Sequence, residues 1–220
     1  MIDISTYKHI IWDWNGTLFN DVEFCCNIMR GILKRRNLPV ISLDTYRNIF
    51  TFPVKEYYKT LGLDIRGENW ETLSHEFMDE YEAGKKTCKL YNEAPEVLES
   101  IKSRGIKQSV LSAYSQHTLE EIIDYFGLSG YFVRLVGLDN IYAASKLDEG
   151  KKWMDELGLD SGEVLLIGDT VHDYEVASEI GAACLLIAEG HQDKSKLIEV
   201  SVNTIDSLDN LSKYLLSSMN

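Results

Sequence analysis

The segment HIIWDWNGTLFND, His9 to Asp21, ends an apolar run on a carboxylate, Asp13, with an amide, a glycine and a hydroxyl behind it at Asn15, Gly16 and Thr17. Further along lie Ser112 closing KQSVLS, Lys146 opening KLDEGKK, and the pair Asp169 and Asp173 in GDTVHD. Two or three carboxylates suit a hard cation such as Mg²⁺, which takes one or two of them plus water and substrate phosphate. A lysine opposite offsets the charge that redistributes over a phosphoryl group in transfer. Asp13 could then be metal ligand and nucleophile together, through an aspartyl-phosphate. The set points to phosphoryl transfer.

Each residue alone has a plainer reading. Asn-Gly between apolar residues signals a hairpin turn, but no strand-like run follows it. Ser112 reads as a turn or cap, Lys146 as a solvated helix start, and Asp169 and Asp173 as the positive end of one helix. His117, His172 and His191 read as structural or exposed, with His117 and His191 near the candidate site. Phe50, Phe52, Tyr57, Tyr58 and Trp70 recur at helical spacing and read as core.

Positioning these groups requires a particular scaffold. Short apolar runs at HIIWD, KQSVLS, YFVRLVG, EVLLIGD and AACLLIA alternate mostly with amphipathic stretches, several closing on glycine at Gly105, Gly127, Gly158 and Gly181. Strands alternating with helices predict an α/β fold, with a Rossmann-like parallel sheet flanked by helices. Near-continuous apolar strands such as VLLI agree, since both faces of such a sheet are covered. In a parallel sheet, functional groups gather at the carboxyl ends of the strands, where Asp13, Ser112 and Asp169 fall. From about Asp21 to Thr87 the sequence reads as helix throughout, which predicts an all-helical insert. The expected division is a core of residues 1–20 and 88–220 and a helical cap domain of residues 21–87.

Composition narrows the partners. The 220 residues carry a net charge of −13, which disfavours nucleic acid and anionic membranes. Four cysteines, Cys25, Cys26, Cys88 and Cys184, form no CxxC pair and read as reduced thiols. No basic-then-apolar leader and no run of membrane-spanning length are seen, so a soluble, cytoplasmic protein is expected.

The ordered quartet resembles the haloacid dehalogenase superfamily: DWNGTL, VLSAYS, ASKLDEG and GDTVHD, with the helical insert where members of the first cap type carry theirs. The layout, including LYNEAPEVLESIKSRG, is similar to phosphoglycolate-phosphatase-like hydrolases. The resemblance implies a Mg²⁺-dependent phosphatase acting on a small phosphorylated metabolite, as a monomer or homodimer. By it, Asp13 is the nucleophile, and Asp13, the Asn15 carbonyl and Asp169 hold Mg²⁺, with Asp173 a further or water-mediated ligand. Ser112 and Lys146 would contact the transferring phosphoryl group. Gly16, Thr17 and Ala113 are assigned to substrate binding, with main-chain amides assisting, and Lys55 to substrate anions.

Residue 15 departs from the family pattern, where a second aspartate protonates the leaving oxygen. An amide cannot shuttle protons. The chain would then favour good leaving groups, draw the proton from elsewhere, or be a weak phosphate-binding relic. A phosphonoacetaldehyde-hydrolase-like reaction is the other alternative, with Lys55 or Lys59 forming a Schiff base.

Overall fold

The computed structural model describes residues 3–138, 146–201 and 203–217. Strand β1 (His9–Trp12) is buried along its whole length and is followed, after a tight turn, by the two-residue strand β2 (Phe19–Asn20). Four helices come next: α1 (Val22–Arg35), α2 (Leu43–Ile49), α3 (Val54–Thr60) and α4 (Glu68–Gly84). The chain then runs through β3 (Lys89–Leu90), α5 (Ala94–Ser103), β4 (Lys107–Ser115), α6 (Gln116–Tyr125) and β5 (Arg134–Leu138). It continues as α7 (Lys146–Leu157), β6 (Val164–Gly168), α8 (Val171–Ile180), β7 (Ala183–Ile187), α9 (Lys194–Val200), β8 (Thr204–Ile205) and α10 (Leu208–Ser217).

The main sheet has six strands in the order β5-β4-β1-β6-β7-β8, all parallel. Alternation along β1 sends Ile10 and Trp12 to one apolar cluster and Ile11 to the other, so each face of the sheet has its own core. The four glycines expected to end helices all have positive φ, at 77°, 70°, 61° and 77° for Gly105, Gly127, Gly158 and Gly181. All four cysteines are free, and Cys25, Cys26 and Cys184 are buried. No helix among the described residues is long and apolar enough to cross a membrane.

Two features differ from the sequence reading. A sixth strand, β8, extends the sheet beyond the five apolar runs, and a separate antiparallel pair joins β2 to β3. Both escape a periodicity search because two residues cannot show an alternation. A short strand does follow the Asn-Gly dipeptide, yet its partner lies some seventy residues on, at Phe19↔Leu90. The dipeptide is therefore not a hairpin turn. Its chain is wound instead around the Trp14 carbonyl, which accepts from the amides of Thr17, Leu18 and Phe19 at 3.3, 3.1 and 3.0 Å.

Candidate active site

The register of the two central strands builds the site. Trp12 pairs with Ile167, and the Asp13 amide donates to the Ile167 carbonyl at 2.8 Å, so Asp13 and Asp169 emerge side by side at the strand tips. Thr170 caps α8 and forms a reciprocal capping box with Asp173. Because Thr170 does the capping, Asp169 turns to the site rather than to its own helix. Asp173 lies one turn into α8, where its Oδ2 accepts from Thr170 Oγ1 at 2.6 Å and from the amides of Thr170 and Asp169 at 3.0 and 3.2 Å.

Lys146, the first described residue of α7, is 3 % exposed and places Nζ 2.5 Å from both Asp13 Oδ1 and Asp173 Oδ1. Thr17 Oγ1 reaches Asp169 Oδ1 at 3.2 Å and Asp13 Oδ2 at 3.4 Å, and the His191 amide donates to Asp169 Oδ2 at 2.6 Å. Gly16, at φ 76°, and Gly190 both lie so close that a Cβ on either would run into the Asp169 carboxylate. Glycine at these positions admits the carboxylate to the centre of the site.

Electrostatics divides the three acids. Burial pushes Asp13 up to about 8, with Asp173 and Asp169 adding to the rise and Lys146 opposing it. Burial likewise raises Asp169 to about 6. Burial also works against ionised Asp173, but Lys146 and the Thr170 hydroxyl outweigh it and hold the acid below its ordinary value. Lys146 stays charged for the matching reason: burial opposes the ammonium, and Asp13 and Asp173 together overcome it. One lysine therefore pairs directly with two of the three buried carboxylates, and at Asp169 it is chiefly His191 that opposes the rise.

That excess of negative charge bears on a metal. Asp13, Asp169 and Asp173 are all buried and present carboxylate oxygens within 4.8 Å of one another. Asp173 has both oxygens engaged, by Lys146 and by the Thr170 turn, whereas Asp13 and Asp169 face each other across Thr17. An all-oxygen donor set with uncompensated charge fits a hard divalent cation.

The other predicted residues are distributed unevenly. Ser112 is buried at a register shift in β4, its Oγ accepting from the Tyr114 amide at 3.2 Å, and it lines the same cavity as Asp13, with Ala113 beside it. Lys55 does not join them. It is exposed, with Nζ 5.6 Å from the centre of the Trp70 ring, and it is not among the residues lining the cavity. His117 is exposed as well, while His172 and His191 line the cavity.

Asn15 is where the structure adds most. Its amide nitrogen donates to Asp21 Oδ2 and to the Tyr81 hydroxyl, each at 2.7 Å. Asp21 is 1 % exposed and also accepts from the Gly16 amide at 3.1 Å, Tyr81 Oη at 2.7 Å, His191 Nε2 at 3.2 Å and Cys25 Sγ at 3.5 Å. Burial alone would raise Asp21, and His191 with these donors brings it below the ordinary carboxylate range. His191 is lifted to about 9, because Asp21 more than offsets the burial that would neutralise it. Its Nδ1 bonds the Tyr46 hydroxyl at 2.9 Å. This buried Asp21 centre joins α2, α4 and the segment after β7, and the sequence reading missed it. Directly before α1, Asp21 has the pattern of an N-cap, yet its side chain makes no capping bond.

Above the strand tips sits a cavity of about 220 Å³. Its lower wall is the acidic group just described, and its upper wall is aromatic, formed by residues of α2, α3, α4 and the segments between them, including Phe50, Phe52, Tyr57, Tyr58, Trp70 and Phe77. The helical spacing that predicted core residues thus also presents several rings to the cavity.

With this geometry, residues 10–187 match the haloacid dehalogenase-like hydrolase family. The chain belongs to that family. Over 198 residues it is 28% identical to a phosphoglycolate phosphatase of Aquifex aeolicus, covering 83% of this chain and 85% of that protein. It is 24% identical to an N-acetylmuramic acid 6-phosphate phosphatase of Pseudomonas aeruginosa over 188 residues, covering 84% and 83% of the two chains. A haloacid dehalogenase-like hydrolase of Streptococcus pneumoniae has the same fold, with a TM-score of 0.79 at 20% identity over 96% of this chain and 99% of that one. In this hydrolase the six-stranded parallel sheet is thus the family's Rossmann-like α/β core.

Proposed function

We propose that the protein is a Mg²⁺-dependent hydrolase of phosphate monoesters that works through an aspartyl-phosphate on Asp13. The observation that carries this reading is the convergence of Asp13 and Asp173 on the buried Lys146, with Asp169 grouped beside them, at the base of a cavity. The names of the phosphatase relatives agree with it.

The carboxylate oxygens of Asp13 and Asp169, with the Asn15 carbonyl, would hold the ion, with Asp173 a further or water-mediated ligand. Bound there, Mg²⁺ supplies charge neutralisation for the phosphate oxygens. Asp13 attacks phosphorus, the ester P–O bond breaks, and the electron pair leaves with the alcohol oxygen. Lys146 is fixed by Asp13 and Asp173, so it faces the developing charge without reorganising. Ser112 and the main-chain amides around Gly16, Thr17 and Ala113 would bind the remaining phosphoryl oxygens. Water then attacks phosphorus, the bond from phosphorus to the Asp13 oxygen breaks and restores the carboxylate, and the proton that water loses reaches the released alcohol oxygen through solvent.

Asn15 gives the leaving oxygen no proton, since its amide hydrogens are directed to Asp21 and Tyr81. The reaction as built therefore favours esters whose leaving group needs little protonation. Residues 21–87 serve as a cap over a core of residues 1–20 and 88–220. Arg47 of α2 supports this, donating to the carbonyls of Glu189 and Gly190 at 2.8 and 3.0 Å. A Schiff-base reaction finds no support: Lys146 is the only lysine among the described residues lining the cavity.

The test is phosphate release from p-nitrophenyl phosphate and phosphoglycolate, with and without Mg²⁺, beside an Asp13→Asn control. Metal-dependent release that the control lacks is expected. Rates equal to the metal-free blank and to the control on both esters would leave a phosphate-binding protein in place of an enzyme.

A further inference from the structure

The chemistry of the upper wall narrows the substrate, given the phosphatase reading on which this step rests. We infer that the cavity takes phosphate monoesters whose alcohol or phenol carries an aromatic ring next to the ester and no second negative charge. Two independent features point there: what lines the cavity, and what is missing from its lining.

The lining rings form two linked groups, Phe50 with Tyr57, Tyr58 and Trp70, and Phe77 with Tyr81. Tyr58 meets Trp70 edge-to-face at 5.4 Å, Phe50 meets Tyr57 at 5.3 Å, and Phe77 stacks on Tyr81 at 6.1 Å. Phe50, Phe52, Trp70 and Phe77 are only partly buried, although each lines the cavity, so they keep apolar surface for a ligand to cover. Rings that already pair edge-to-face and offset present both edges and faces, the two contacts a further planar ring favours. The size is adequate: an apolar cavity of about 150 Å³ holds benzene, and this one is about 220 Å³.

No lysine or arginine of the described lining is left for a second anion, and His172 of that lining stands 3.5 Å from Glu175. Among the described lining residues the only lysine or arginine is Lys146, already held between Asp13 and Asp173. The charged ring of His191 is taken by Asp21 and Tyr46. The seven residues before Lys146, DNIYAAS, bring no lysine or arginine in sequence. A carboxylate beside the phosphate, as in phosphoglycolate, would be desolvated against rings with no lysine or arginine of the described lining left to pair it. Asn15 acts in the same direction, because phenols leave with less need of a proton than alkyl alcohols.

Binding separates this inference from catalysis. Benzylphosphonate, methylphosphonate and phosphonoacetate are titrated calorimetrically into the full-length protein with Mg²⁺. Benzylphosphonate is expected to bind at least about tenfold tighter than methylphosphonate, from burial of one ring. Phosphonoacetate should bind no tighter than methylphosphonate. Phe77→Leu and Trp70→Leu, each checked for an unchanged circular dichroism spectrum, should shrink the benzyl-to-methyl ratio. In turnover, benzyl phosphate should exceed butyl phosphate in kcat/KM, and since both are alkyl esters the difference reports the ring. Equal phosphonate affinities, or tightest binding of phosphonoacetate, would overturn the aromatic class, while Mg²⁺-dependent phosphate release would still uphold the phosphatase. Tight benzylphosphonate with no ester hydrolysed would support the aromatic site and remove the phosphatase reading.

Discussion

Asp13 and Trp70 line one cavity from opposite sides, and the two sides are held by different forces. At the strand tips three buried carboxylates and a lysine are fixed by short hydrogen bonds, and nearly every polar atom has a named partner. On the helical side the rings of Phe50, Trp70 and Phe77 are half-buried and pack against Tyr57, Tyr58 and Tyr81 respectively. Preorganised charge suits a step whose geometry is the same for every phosphate ester. An adaptable apolar wall suits discrimination among the groups attached to that phosphate. The Asp21 centre is the seam, bonding Asn15 and Gly16 on one side and Tyr81 on the other.

If the lower side does the chemistry, the largest effect belongs to Asp13. Asp13→Asn should lower kcat by at least about 10³-fold on every ester, aromatic or not, because the nucleophile is common to all. Stopped phosphate-release assays on aryl and alkyl esters check this, and a loss confined to one class would break the division of labour. Next comes Lys146→Met, which leaves Asp13 and Asp173 facing each other unpaired in a buried site. Removing one partner of such a group costs about 3–5 kcal/mol. Urea unfolding with EDTA present should show a loss on that scale, and added Mg²⁺ should recover part of it.

The two sides also differ in how much the sequence disclosed. Asp13, Ser112 and Asp169 were legible because each ends a run of apolar residues, and a parallel sheet leaves little choice about where strand ends go. Lys146 was legible through the helix it starts. Asp21 was hidden, since an aspartate before a helix looks like a cap; only the tertiary approach of Tyr81 and His191 shows it as the partner of Asn15. The rings recur at helical spacing, as core residues do, and spacing cannot tell a ring facing a core from one facing a cavity. That depends on how α2, α3 and α4 lie over the strand tips. Strands β2, β3 and β8 are two residues each, too short for any periodicity.

A smaller effect tests the seam. Asn15→Asp sets a carboxylate where an amide now donates to Asp21, turning a satisfied pair into a repulsive one. Stability near neutral pH should fall by about 1–3 kcal/mol, and adding Asp21→Asn should return much of it. The same Asn15→Asp change supplies an acid beside the leaving oxygen, so alkyl phosphates should gain up to about 10²-fold while aryl phosphates gain less. Equal gains would show that proton supply does not set the ester preference. The aromatic wall would then account for it alone.

Comparing rates across pH requires separating the site from the fold beneath it, and His9 supplies that control. It begins the strand that Asp13 ends, is buried, bonds Ser109 Oγ at 2.8 Å through Nε2, and is pushed by burial down to about 4. Between that value and the ordinary histidine range near 6.5, the unfolded chain binds a proton that the folded chain refuses. Stability is therefore complete above that window and falls as the pH drops through it, by about 1 kcal/mol at pH 5.5. His9→Gln removes the titration while keeping a polar partner for Ser109, so its unfolding midpoint in urea should rise relative to that of the native chain as the pH drops from 7 to 5. An unchanged difference between the two chains would remove His9 as the source of this loss, since Asp13 and Asp169, both raised, favour the fold as the pH drops.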